Sequence, residues 1–548
     1  MRNPVGASFG WDRSRAFPGR LGSKPDARET RGESANVHRE AAIQGKACMQ
    51  TDVSRKPSEG VRETALFLLI LAAGAVLYTY RLSWSDIWID ESCSKALARH
   101  SLADLIRLIA HDSHPPLYFI GLKGFMSVVG YSDLTLRLFS VVGALGTLIL
   151  GYVMGQRVFG RRGALVLTAV LLALPMPALY AHVARMYTWS ACLVLGVFLT
   201  AVQVGRDSRR MDIVWLGLFS VLAAYTHYYA LIAAFWINFC LLLYLVVQRN
   251  PRWRAVVLMG LIVFVLYLPW AFVLGSQSAT VRKDFWIPPV SWQSVAECYT
   301  RPFGGFYSLN ALSWVPIVAI YGLTVACIVV VLATPKSEDR LPVLLALVGF
   351  HATLLSATVI SLSVRPILYP RYIMTIAPLL AVPPAVLLTR CRSVWIRGGV
   401  LAVLIGCGVP IVFSETKFSY GPYQQALRSL AQRHPEVVKI LHINELTTGP
   451  FSEYASGTRW KNYYLKNDRA SWYSNMEMFD GATPVRDLAA MTEEREVFCL
   501  VEFSGFWLNR PNIDLVLSQC DLIAVENAAD EKPYPGIVLK LYLLRARK

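Results

Sequence analysis

WSDIWIDESCSKALARHSLADLIRLIAHDSHPP, residues 84–116, sets two acids, Asp90 and Glu91, side by side among Trp84, Trp88 and Ile89. An acidic pair in apolar and aromatic surroundings is costly unless it has work to do. Leu102, Leu105, Ile106 and Ile109 follow at helical spacing, and His114-Pro115-Pro116 stops that helix and turns the chain. The stretch comes directly after the first hydrophobic segment of the chain, at 64–82.

Outward from it, the composition is that of a multispanning membrane protein. Of 548 residues 54% are hydrophobic and 17% charged, too apolar a balance for a soluble globular chain. The net charge of +17 would suggest nucleic acid only if it lay on one folded face, and here Lys and Arg sit between hydrophobic segments. Nucleic acid is therefore excluded as a partner, and membrane topology accounts for the charge. The ten cysteines form no CxxC pair, and Cys192, Cys240, Cys327 and Cys407 lie inside apolar runs, where a thiol acts as a small hydrophobe. Cys499 and Cys520, in the polar C-terminal part, are the two that an oxidising compartment would join.

Residues 1–63 are polar and lack apolar periodicity, which predicts a disordered tail followed by an uncleaved anchor. Apolar segments at 64–82, 134–155, 163–180, 188–204, 212–226, 229–247, 255–274, 313–333, 341–363, 371–388 and 395–413 predict eleven spans. Basic clusters follow every even one: Arg157, Arg161 and Arg162; Arg206, Arg209 and Arg210; Arg249, Arg252 and Arg254; Lys336 and Arg340; Arg390, Arg392 and Arg397. By the positive-inside rule the N-terminus is cytoplasmic and the C-terminus outside. This register requires that 117–130 not cross. At about 14 residues, broken by Lys123, it falls short of the roughly 20 that a span needs, and it reads as an interfacial or re-entrant helix. From 414 to 548 the pattern changes to a small α/β domain, with a helix at 423–433 and strands at 437–443, 497–503 and 536–544.

This topology gathers the unusual polar residues on one face. Asp90, Glu91, Asp112 and His114 lie in the first external loop, 83–133; Arg185 and His227 in later ones; Lys283 in 275–312; Arg365, Arg371 and Tyr372 in SVRPILYPRY. Carboxylates, arginines and histidines at a lipid boundary suit a substrate with an apolar tail and an anionic head. Sugar transfer from a lipid phosphate needs a carboxylate to take the acceptor's proton and cations for the departing phosphate.

WIDE at 88–91, HPPLYF at 114–119, LRLFSVVGALGTLILGYVMGQRVFGRR at 136–162, ARMY at 184–187, THYYAL at 226–231 and PRY at 370–372 resemble the GT-C membrane glycosyltransferases related to dolichyl-phosphate-mannose protein mannosyltransferases and bacterial aminoarabinose transferases. The resemblance covers 64–413 and implies an all-α multi-pass domain of the GT-C type ahead of the α/β domain. It further implies an inverting transferase of the plasma membrane, taking a hexose or pentose from a polyprenyl-phosphate donor to a lipid, polysaccharide or protein acceptor. Asp90 would be the catalytic base with Glu91 beside it, Arg185, Arg371, Tyr372 and Lys283 would hold the donor phosphate, and His114 and His227 would shape the pocket. Many relatives carry a Glu two residues before the Arg of their ARMY-like motif; here that position is Val183. No cofactor is implied with certainty. Asp90, Glu91 and a histidine have the chemistry to hold a divalent metal ion, at a spacing that matches no recognised ligand pattern.

Plainer readings stand beside these. Asp90 as a helix N-cap, with Glu91 complementing the dipole, would need no catalysis. His114 could mark only a turn before an N1 proline. Arg185, His227, Arg371 and Tyr372 could be interfacial anchors, and Lys283 part of an ordinary connection. A transporter of a lipid-linked sugar and a non-catalytic envelope scaffold are the rival functions; the first lacks visible inverted repeats, and the second leaves the acidic pair unexplained.

Overall fold

The computed structural model describes residues 57–207, 209–280, 287–305, 309–416, 421–443, 445–465, 478–479, 481–486, 488, 491–492, 496–504, 510–528 and 538–547. Lys283, expected at the donor phosphate, lies outside the described residues, as do residues 1–56 of the expected tail.

Helix α1 (Pro57–Thr79) opens the membrane domain, ahead of the hydrophobic run that starts at 64. The first loop holds α2 (Ile89–Arg99), α3 (Leu102–Ala110) and α4 (Leu117–Val129). Thirteen residues make α4 about 20 Å long, too short for a hydrocarbon core of about 30 Å, so it does not cross. Then follow α5 (Asp133–Val153), α6 (Gly155–Ala173), α7 (Pro175–Ala181), α8 (Tyr187–Asp207), α9 (Arg210–Ala224), α10 (Tyr228–Val247) and α11 (Trp253–Thr280). After them come α12 (Trp292–Gly304), α13 (Ala311–Ala333), α14 (Arg340–Ser363), α15 (Pro370–Ile373), α16 (Ala377–Leu380), α17 (Val382–Arg390) and α18 (Val394–Glu415).

Against the eleven spans expected, eight helices among the described residues are long and apolar enough to cross, and a ninth if α6 and α7, bent by 62°, count as one. The two shortfalls have local causes. α9 is only 15 residues long in all, and Arg210 and Asp212 take up its first turn. The run 371–388 is cut into α15, α16 and α17, where Pro370 opens α15 and Pro378, Pro383 and Pro384 fall within the run, each without an N–H for the helical ladder. The chain is a multi-pass membrane protein.

The basic clusters meet at one end of the bundle. Arg157 grips Asp212 at 2.6 and 2.9 Å and reaches Gln203 at 3.0 Å. Arg206 donates to the carbonyls of Val158 and Glu338, Arg252 to that of Arg206, and Arg390 to Asp339 at 2.7 Å. The ends of five expected segments are thus tied by guanidinium groups to carboxylates and helix-terminal carbonyls.

Among the described residues the C-terminal part forms a six-stranded sheet with flanking helices. In chain order its elements are α19 (Tyr423–Arg433), β1 (Lys439–His442), α20 (Glu445–Ala455), β2 (Lys461–Leu465), β3 (Ala482–Val485), β4 (Val497–Ser504), α21 (Arg510–Ser518), β5 (Cys520–Ala528) and β6 (Val538–Ala546). The strand order is β3-β2-β1-β4-β6-β5, parallel from β3 to β4 and antiparallel at β6 and β5. Alternate residues fill two cores: Ile440, Cys499, Val501 and Leu541 pack under α19 and α20, while Leu441, Phe498, Leu500 and Tyr542 pack under α21. Cys499 and Cys520 are both free thiols, contrary to the expected pairing. β6 lies between their strands, and the register sets Cys499 opposite Leu543 but Cys520 opposite Ala546, so the two stand well over about 10 Å apart, beyond disulfide reach.

Candidate active site

Asp90 stands at the second position of α2, and its N-cap is Trp88, so Asp90 is not a cap. Glu91, at the third position, accepts from the Trp88 backbone N–H at 3.4 Å. Helix geometry turns the two neighbouring acids apart, and their surroundings differ accordingly.

Glu91 is completely buried. Arg137, from α5, holds it in a fork: Nε donates to Oε1 at 2.8 Å and Nη2 to Oε2 at 2.7 Å. The other Arg137 donors go to the carbonyls of Leu82 at 2.8 Å, Ser85 at 2.9 Å and Asp86 at 3.1 Å. All five N–H groups of this guanidinium are therefore used. The backbone N–H of Ala184, one residue before Arg185, donates to Glu91 Oε1 at 3.1 Å. Glu91 thus joins α2, α5 and the ARMY turn into one body.

The Asp90 side chain remains 23% exposed. Arg371 Nη1 donates to its Oδ2 at 3.0 Å, and Arg185 Nη2 lies 4.0 Å from Oδ1. Both arginines are enclosed by rings: Arg371 lies over Tyr369 at 4.9 Å and Trp88 at 5.4 Å, Arg185 over Phe119 at 5.6 Å. Arg185 Nη2 also sits 3.2 Å from His114 Nε2, and its buried Nε has no hydrogen-bond partner among the described residues. Asp112 and Arg365 belong to the same electrostatic neighbourhood. Two guanidinium groups, those of Arg185 and Arg371, face the Asp90 carboxylate.

His114 and His227 lie edge to face, 6.0 Å between centroids, with Tyr372 5.2 Å from His227 and Tyr187 5.8 Å from it. Burial first, and the Arg185 charge second, push His114 well below its usual range; for His227 burial is joined by His114 and Arg185. Both imidazoles are neutral at pH 7. Near neighbours in the chain hold them: Ser113 Oγ is 2.9 Å from His114 Nδ1, and His227 caps α10 by accepting from the Tyr229 N–H at 3.1 Å.

Asp90, His114, Arg185, His227, Arg371 and Tyr372 therefore come together, as the loop assignments lead one to expect. Tyr372 enters as a ring in the aromatic wall, with Tyr187, Tyr229 and Tyr369 around it. Arg137 is the residue of this site that the sequence reading misses. Its signal is a lone arginine in the second turn of an otherwise apolar helix.

Among the described residues no group of three or more His, Cys, Asp or Glu side chains gathers as a metal site. Asp90 is engaged by Arg371, and His114 faces Arg185. Donors already flanked by cations do not fit a divalent ion.

Crystal structures of the aminoarabinose transferase ArnT from Cupriavidus metallidurans, bound to undecaprenyl phosphate and in the apo state, share this architecture. Each aligns with a TM-score of 0.57 and 14% identity, over 87% of this chain and 98% of that one. The fold is of the GT-C type. An oligosaccharyltransferase from Archaeoglobus fulgidus aligns more loosely, with a TM-score of 0.45 and 11% identity over 76% of this chain and 62% of that one, too low a score to bear on the GT-C assignment. No protein-family model and no curated protein matches the sequence.

Proposed function

We propose that the protein is an inverting glycosyltransferase that moves a sugar from a polyprenyl phosphate to an acceptor hydroxyl. The observation that carries this reading is the part-exposed Asp90 carboxylate held between the Arg371 and Arg185 guanidinium groups. Asp90 takes the acceptor proton as the acceptor oxygen bonds to the anomeric carbon. The bond from that carbon to the phosphate oxygen breaks, and its electron pair leaves with the lipid phosphate. Arg185 and Arg371 meet the charge that grows there, already fixed in place before it appears. A guanidinium with an unused Nε is suited to a tetrahedral anion, because its fork binds two oxygens at once. His114 and His227, being neutral, shape the pocket without competing for the phosphate.

Glu91 takes a different part. With no open lone pair and a full fork of bonds from Arg137, it positions Asp90 and the Arg185 turn and does not touch substrate. The undecaprenyl phosphate bound to ArnT supports a polyprenyl phosphate as leaving group. The basic end of the bundle supports a cytoplasmic N-terminus, with the site and the C-terminal domain on the outer face of the plasma membrane. The acceptor is a lipid, polysaccharide or protein hydroxyl.

The test is sugar transfer in membrane vesicles from a radiolabelled polyprenyl-phosphate hexose pool, wild type against Asp90→Asn at matched expression. Loss of transfer with donor binding kept is the expected result. Equal transfer by the two proteins would sink Asp90 as base. A wild type that only carried the lipid across the bilayer would make the protein a transporter.

A further inference from the structure

The helix that carries Asp90 is walled on one side by the C-terminal domain. α20 packs on α2 so closely that Gly449 has no room for a side chain. A Cβ there would lie 2.7 Å from the Phe479 ring and 3.0 Å from Ile89 Cδ1, and would collide with Ser92 Oγ. Polar bonds from the same domain bracket Asp90 along the chain. Before it, Gln424 donates twice to the Asp86 carboxylate, at 2.9 and 2.7 Å, and the Ile87 N–H donates to Tyr454 Oη at 2.7 Å. After it, Arg99 bonds Glu453 at 2.8 Å, Lys95 lies 3.3 Å from Glu453, and the His100 ring meets the Met478 carbonyl at 2.9 Å.

A ring closes this arrangement. Tyr454 Oη donates to Asp133 at 3.0 Å, Asp133 accepts from Lys95 at 2.7 Å, and Lys95 returns to Glu453, next in sequence to Tyr454. Asp133 opens α5, the helix from which Arg137, one turn on, grips Glu91. The backbone on either side of Asp90 is thereby fixed, by α5 and by α20, while its own carboxylate points to the arginines.

We propose that Tyr454 and Glu453 are positioning residues for sugar transfer, and that α20 of the C-terminal domain sets the place of the Asp90 carboxylate. The inference rests on Asp90 being the base. A reacting group displaced by about 1 Å loses on the order of 100-fold in rate, so a contact remote from the substrate governs turnover without governing donor affinity. Tyr454→Phe keeps the ring and removes the hydroxyl shared by Ile87 and Asp133. Gly449→Ala removes no polar group and pushes the two helices apart.

The experiment measures kcat and donor KM for the full-length protein in vesicles, using a polyprenyl-phosphate hexose, for wild type, Tyr454→Phe, Glu453→Gln, Gly449→Ala and Glu526→Gln. The last breaks contacts to Arg433 and His434, away from α2, and reports general loosening of the domain. The expected result is a fall in kcat of roughly 10- to 100-fold for the first three at a donor KM within about twofold of wild type, with Glu526→Gln unchanged. Wild-type kcat in Tyr454→Phe and Gly449→Ala would overturn the inference. So would losses that track the amount of folded protein and recur in Glu526→Gln. A wild type that transferred no sugar would remove the glycosyltransferase reading itself, and this inference with it.

Discussion

Replacing Arg137 by Met leaves the Glu91 carboxylate buried, with only the Ala184 N–H at 3.1 Å and the Trp88 N–H at 3.4 Å to satisfy it. It also takes the Arg137 donors away from the carbonyls of Leu82, Ser85 and Asp86. Breaking a buried ion pair from one side costs about 3–5 kcal/mol, a large share of the roughly 5–15 kcal/mol that holds a typical domain together. An exposed pair such as Arg433 with Glu526 is worth about 1 kcal/mol at most, so the two losses are easily separated. The assay is thermal unfolding of the detergent-solubilised protein by tryptophan fluorescence, for Arg137→Met, Glu91→Gln and the double variant. The double variant buries no unpaired charge, so it should be more stable than the single losses predict, by a coupling of about 0.5–3 kcal/mol. Arg137→Met unfolding at the wild-type temperature, or single effects that simply add, would refute the view that this pair locks the loop.

The other predictions concern the open half of the site. Arg185→Lys and Arg371→Lys keep the charge and lose the fork, so donor affinity should drop about 10-fold or more while the fold stays intact, read by donor binding and Tm together. His114 and His227 are held below the ordinary histidine value of 6.5, and His442 is pushed down to about 4 by burial, so the unfolded chain binds protons there that the native state refuses. Stability is then full above about pH 6.5 and falls as the pH drops below it; Tm followed from pH 8 to 5 should show this, with a shallower slope in His227→Gln. A chelator should leave transfer at its wild-type rate, because the carboxylate and imidazole that would bind a metal already face arginines. Loss of activity on chelation and its return with a divalent ion would contradict that.

Much of the architecture is legible in the sequence because hydrophobic period and basic clusters answer to burial and to the membrane, which act locally on the chain. The run 371–388 misleads because its apolar side chains mask the prolines at 378, 383 and 384, whose missing donors cut the helix; α9 misleads because Arg210 and Asp212 shorten it. Sequence pattern brings Asp90, His114, Arg185, His227 and Arg371 to one face, yet it does not separate the environment of Asp90 from that of Glu91. That distinction depends on Arg137, 46 positions beyond Glu91, and on the turn of α2. The docking of α20 onto α2 is equally hidden, since the bond from Ile87 to Tyr454 joins residues 367 apart and no short-range pattern announces it.

The two arginines of the site ride on the broken parts of the bundle: Arg185 follows α7, and Arg371 lies in α15. Both breaks are shut inside protein, with residues 174–178 and 372–386 buried without interruption, as a membrane requires of backbone that leaves the helical ladder. The lipid-facing work falls to helices such as α11 and α18, each only 22% buried over its apolar window. Those outer helices can tilt to match a thinner or thicker bilayer, and the inner segments do not touch the lipid whose thickness changes. The geometry of the reacting groups is thereby insulated from hydrophobic mismatch. Across vesicles whose hydrocarbon cores run from about 27 to about 33 Å, turnover is expected to stay level.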